Sequence, residues 1–188
     1  MKLSKDFKEI KGDASIRKFY RNTKKNSIIV FANIEKIKNL LIYDSINKIL
    51  IKNNIIAPKL LSQNYRNNYI EIQDLGNKTI YQTFIKNEKD HYLILKKVVN
   101  VLNKIQKIKD KKIKNFNNKL YKIKNYNNKV LFDETKLFND WYVPKKLNKK
   151  KIYLFKDKFN KEIKLLLSKL KFKNNTFVHR DFHVSNLI

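Results

Sequence analysis

No cysteine occurs in the 188 residues, which excludes disulfides and thiolate metal centres. No run approaches the roughly 18 apolar residues of a membrane-crossing helix. The opening MKLSKDFKEIKGD is too charged for a signal peptide, so a cytoplasmic protein without a membrane partner is expected. Acidic residues are also scarce, 16 against 44 basic ones, for a formal charge of +28. Gly, Ala, Arg and Pro together supply only 11 positions. The chain is nonetheless no disordered polycation: hydrophobic residues make up 42% and aromatics 12%, although mean hydropathy is −0.60. A length of 188 residues suffices for a sizeable core, in one domain or two small lobes.

What fills the chain is 40 Lys, 26 Asn and 24 Ile, close to half of all residues. All three have A/T-rich codons, so drift in an AT-rich genome accounts for the lysines without any binding partner. No nucleic-acid partner is expected on this ground. An RNA-binding protein remains a rival on charge alone, without an RNP-like, KH-like or zinc-knuckle pattern. The same bias makes the few residues with G/C-rich codons informative. Four of them lie in GDASIRKFYR (Gly12, Ala14, Arg17, Arg21), and others in IIAPKL, EIQDLG, WYVPKKL and the HRD of FVHRDFHVSNLI.

Periodicity predicts an α+β chain. RKFYRN and SIIVFAN read as a β-hairpin around NTKKN, and residues 36–53 as an amphipathic helix. Pro58 stops helical chain, and NNYIEIQDLG returns to a strand that ends at Gly76, for an order β, β, α, β, β. Beyond Thr79 the pattern is mostly helical, until TFVHRDF turns β-like before a polar loop. IKNFNNK (113–119) recurs as IKNYNNK (123–129), which reads as low-complexity drift. The expected division is a strand-rich part over residues 1–76 and a helical part over 77–188, with a cleft between them.

The chemistry is concentrated at the end. His179, Asp181 and Asn186 fit H-x-D-x-x-x-x-N. In that pattern an Asp carboxylate accepts or orients the proton of an attacking hydroxyl, and an Asn amide five residues on reaches a phosphate-bound Mg²⁺. His179, Asp181 and His183 could alternatively be three ligands of a metal hydrolase, although no H-E-x-x-H helix accompanies them.

With its second histidine, HRDFHVSN resembles the catalytic loop of the aminoglycoside phosphotransferase and choline kinase superfamily. GDASIRKFYR, IIAPKLL, IEIQDLG, LFNDWYV and FVHRDFHVSNL are similar, in that order, to segments of the bacterial kinases that phosphorylate the anomeric hydroxyl of N-acetylmuramate and N-acetylglucosamine. The resemblance implies a protein-kinase-like two-lobe fold, with a small β-rich N-terminal lobe and a truncated helical C-terminal lobe. It implies ATP- and Mg²⁺-dependent phosphorylation of a small molecule, an amino sugar first among choline, homoserine and aminoglycoside alternatives, by a monomer. Asp181 matches the catalytic base, His183 a residue near the transferred phosphate, and Asn186 the metal ligand. Gly12, Asp13, Ala14 and Ser15 match the loop over the nucleotide, and Glu71 to Gly76 the hinge at adenine. Within that hinge Glu71 and Asp74 either touch a ligand or are solvated. The third strand carries no Lys to grip phosphate, and Arg17 or Arg21 could supply that charge or be exposed strand residues. Trp141 and Tyr142 read as core aromatics. A second Mg²⁺ ligand is expected after Asn186 and the chain stops two residues later, so this polypeptide is expected to be inactive, a fragment of an enzyme or a pseudokinase.

Overall fold

The run SIIVFA has β-branched or aromatic residues at nearly every position, which suits a strand covered on both sides. It forms β3 (Ser27–Ala32), the centre of a five-stranded antiparallel sheet in the order β1-β2-β3-β5-β4. β2 (Arg17–Asn22) pairs with β3 as the expected hairpin, Phe19 opposite Val30. Asn22 sets the turn, its Oδ1 accepting from the amides of Lys24 at 2.9 Å and Lys25 at 3.2 Å. β1 (Phe7–Ile10) is an addition to the expected order. FKEI is short and charged, and it is held as an edge by pairing with β2. β4 (Leu60–Asn64) and β5 (Tyr69–Gln73) complete the sheet. The structure is a computed structural model that describes residues 5–10, 17–33, 36–86, 90–171 and 176–188.

The chain forms two compact units, Met1–Ile123 with Thr176–Ile188, and Lys124–Asn175. Gly76, the expected boundary, lies inside the first unit. Taken as a whole the chain is α+β, with every strand in the first unit.

In the first unit, α1 (Lys38–Lys52) serves two cores. Its Leu40 packs with Val30, Ala32, Ile70 and Ile72 on one face of the sheet. Its C-terminal Ile49 and Leu50 join Ile55, Ala57 and Phe177 in a second cluster. Ile105, from the end of α3 (His91–Gln106), and Ile108 complete that cluster. α2 (Ile80–Ile85) begins with a capping box between Thr79 and Gln82. The asparagine-rich echo takes two structures: Lys112–Lys114 (β6) and Leu120–Lys122 (β7) form a small hairpin, whereas the second copy leads into a helix. TFVHRDF, expected to be β-like, forms no strand among its described residues. Its anchor is Phe177 in the second core.

The second unit is an antiparallel helical arrangement of α4 (Asn128–Leu137) and α5 (Lys149–Lys169), capped by Asn127 and Asn148. Between them run a π-helical turn, Phe138–Tyr142, and a 3-10 turn, Val143–Lys145. Trp141 and Tyr142 are not core aromatics: they are 70% and 52% exposed. The π turn adds a residue to its helical repeat and so rotates the face that α-helical spacing would bury. Phe138, itself 42% exposed, packs on α5, with ring centroids 6.3 Å from Phe155 and 5.5 Å from Phe159.

Candidate active-site loop

Three of the residues singled out in FVHRDFHVSNLI converge. Asn186 Nδ2 donates to Asp181 Oδ2 at 2.7 Å and to the Asp181 carbonyl at 3.1 Å. His183 Nδ1 accepts from the Ser185 amide at 3.3 Å, and its Nε2 lies 3.3 Å from Asp181 Oδ1 and 3.1 Å from Asn186 Nδ2. An amide donor and an imidazole therefore meet at one carboxylate, whose side chain is 72% exposed. The loop folds this way for local reasons. Arg180 has φ of 70°, a left-handed conformation that is costly for a residue with a Cβ and that reverses the chain just before Asp181. A 3-10 turn, Val184–Asn186, then carries Asn186 back, with its amide donating to the His183 carbonyl at 2.9 Å.

The loop is anchored to the first unit at both ends. Phe177 is buried and Phe182 packs against the same cluster, while the Leu187 carbonyl accepts from the amide of Ile80 at the start of α2, 2.8 Å away. His179 lies edge-on to Phe182, with centroids 5.7 Å apart. Burial pushes its imidazole below the ordinary value, against the pull of Asp181.

The remaining candidates sit elsewhere. Gly12, Asp13, Ala14 and Ser15 lie outside the described residues. Arg17 is on β2 opposite Ala32, with its guanidinium 4.8 Å from the centre of the Tyr43 ring on α1. Burial lowers its pKa, but an arginine keeps its charge. Glu71 lies within β5, before the connector that follows that strand. It accepts from Ser27 Oγ at 2.7 Å and Ser62 Oγ at 2.9 Å, joining three adjacent strands. Asp74 is 8% exposed at the start of the connector after β5. Arg21 grips it through both Nε and Nη2, the latter at 3.0 Å from Oδ1, and Nη2 also donates to the Gly76 carbonyl at 2.8 Å. The Gly76 amide closes the knot on Asp74 Oδ1 at 2.8 Å, in a turn where Gly76 has φ of 100°.

Sequence reasoning missed Ser27 and Ser62 as partners of Glu71, and the buried Asp44 of α1, which pairs with Lys48 at 2.8 Å. Asp44 had one signal: it lies between helix positions 43 and 46, both read as apolar, so a carboxylate there needs a partner.

Chemically, the loop offers an exposed carboxylate with its two oxygens separately oriented. Asn186 spends Nδ2 on Asp181, and its Oδ1 keeps acceptor capacity. That donor set fits Mg²⁺, which binds through few protein oxygens and shares its coordination with phosphate and water. Among the described residues no group of three or more His, Asp and Glu could hold a metal by itself. No helix of the described residues is long and apolar enough to cross a membrane. The chain matches no protein-family model, no curated protein and no solved structure.

Proposed function

We propose that the chain carries the catalytic loop of an ATP- and Mg²⁺-dependent phosphotransferase acting on a small-molecule hydroxyl, an amino sugar first. The observation that carries the reading is the meeting of Asn186 and His183 on the Asp181 carboxylate. In this reading Asp181 accepts the hydroxyl proton while Asn186 and His183 hold its carboxylate in one orientation. Mg²⁺, when bound through Asn186, would neutralise phosphate charge. Positioning and electrostatics carry most of such a reaction. The sheet, the single helix after its third strand and the knotted connector after β5 support the nucleotide-binding lobe of a two-lobe kinase-like fold. Since Arg21 is committed to Asp74 and Gly76, Arg17 is the reading's candidate for contact with phosphate.

The test is calorimetric titration of the chain with ATP at several Mg²⁺ concentrations, followed by transfer of labelled γ-phosphate to N-acetylglucosamine or N-acetylmuramate. Saturable binding that strengthens with Mg²⁺ is expected, and Asn186→Ala should abolish the strengthening while leaving the Mg²⁺-free affinity alone. If any transfer is detected, Asp181→Asn should eliminate it. A folded chain that binds no nucleotide would sink the reading.

A further inference from the structure

The exposure of Trp141 and Tyr142 changes what the lysines around them can do. Between Trp141 and Lys156 there is no acidic residue, and five of the seven positions from 145 to 151 are lysine. All five lysines are exposed and no ion pair engages any of them, whereas Asp140 is paired with Lys156 at 2.8 Å. Tyr153, one turn into α5, is 77% exposed. Across residues 141–154 the exposed large apolar side chains are these three aromatic rings and one leucine, Leu154.

Lysine number alone carries nothing in a chain with 40 of them. Position does. Lys149, Lys150 and Lys151 occupy the first turn of α5, where the helix dipole favours anions and disfavours cations. An anionic ligand would relieve that conflict and be met by both the lysines and the helix end. The Tyr142 ring is held against its neighbours. Phe138 stacks on Tyr142 with centroids 5.2 Å apart and packs against Phe155 and Phe159, and Asn139 Nδ2 donates to Asn160 Oδ1 at 3.2 Å. The π turn is thus pinned to α5, and Lys146 Nζ lies 5.9 Å from the centre of the Tyr142 ring.

We propose that the rings of Trp141 and Tyr142, with the lysines of residues 145–151, form a binding site for single-stranded nucleic acid. Bases stack on the rings and phosphates pair with the lysines. Exposed aromatic faces among exposed lysines suit bases, which all present a π face. An anionic membrane would instead reward a continuous exposed aliphatic face, whereas residues 141–154 expose a single aliphatic side chain, Leu154. This site is separate from the Asp181 loop and independent of the phosphotransferase reading.

Trp141 is the only tryptophan, so its emission reports on this site alone. The 188-residue chain is titrated at about 150 mM salt with a dT15 single strand, an abasic 15-mer, a 15-bp duplex and phosphatidylserine-containing vesicles. The expected result is saturable quenching of Trp141 by dT15, with the abasic strand at least about tenfold weaker and without quenching. Trp141→Ala, followed by anisotropy of labelled dT15, should lose roughly tenfold or more in affinity. Changing Lys149, Lys150 and Lys151 to Gln should reduce the slope of log affinity against log salt by about 2, from roughly 0.7 per phosphate contact. The proposal is overturned if no dT15 binding occurs, if abasic strand, duplex or vesicles bind as well as dT15, or if Trp141→Ala binds like the parent. Should that variant misfold, the quenching comparison on the unaltered chain still decides.

Discussion

Replacing Arg21 by Ala removes one guanidinium that holds the connector after β5 at three points, two on Asp74 and one on the Gly76 carbonyl. Asp74 would stay largely buried, its side chain 8% exposed, with the Gly76 amide as its remaining donor in this knot. Breaking a fully buried pair by deleting one partner costs about 3–5 kcal/mol. Arg21 is 27% exposed, so water can reach part of the vacated volume and the expected cost falls to about 2–3 kcal/mol. For a chain of this size that corresponds to a fall in Tm of roughly 4–12 °C. The assay is thermal and urea unfolding followed by circular dichroism, on Arg21→Ala, Asp74→Ala and the double variant. The double variant should lose less than the sum of the singles, with a coupling energy of about 1–3 kcal/mol. Arg21→Lys keeps the charge but not the planar fork and should fall between. A coupling near zero, or an Arg21→Ala midpoint equal to that of the parent, would refute the account of the connector as locked by this pair.

Two further predictions concern the cores and the loop. Leu40 is fully buried where α1 meets the sheet, so Leu40→Ala should cost about 2–5 kcal/mol by denaturant unfolding, whereas Leu40→Met should cost less than about 1.5 kcal/mol. His179 is half-buried with its pKa lowered below 6.5, so above that pH both folded and unfolded chains hold it neutral and its contribution is fully present. As pH falls below 6.5 the unfolded chain takes the proton first, and stability is lost until the folded-state pKa is passed. His179→Asn should remove that part of the pH slope, and an unchanged slope in the variant would show that the ring is not the group responsible.

Much of the molecule was legible from residue order because the relevant physics is local. The β2 and β3 hairpin, α1 and β5 follow from runs with one clear period and from turn residues such as Asn22. Asp181, His183 and Asn186 lie within six positions, so a short loop suffices to bring them together, and the spacing that suggested the site is nearly the geometry itself. Asp74 was singled out as well, but its bonding was hidden, because Arg21 comes from a strand 53 residues earlier. Glu71 was taken for a hinge residue because sequence does not tell where a strand's pairing ends; its serine partners come from the strands on either side.

The echoed heptad shows where order along the chain stops being sufficient. IKNFNNK and IKNYNNK differ only by Phe and Tyr, yet the first enters a hairpin and the second runs into α4. Asn118 adopts a left-handed φ of 57° in the first copy, and its counterpart Asn128 starts a helix whose side chain donates to the Leu167 carbonyl at 3.0 Å. Propensities of a few tenths of a kcal/mol per residue cannot separate such copies; pairing with β7 or packing on α5 can. The same holds for Trp141, which composition and spacing put in a core and a π turn puts in solvent. Residue types and spacing were enough for the α+β class and the closing loop, because hydrophobic period and a six-residue motif act over short range. Which carboxylates are locked, and which aromatics face water, depended on contacts between distant segments.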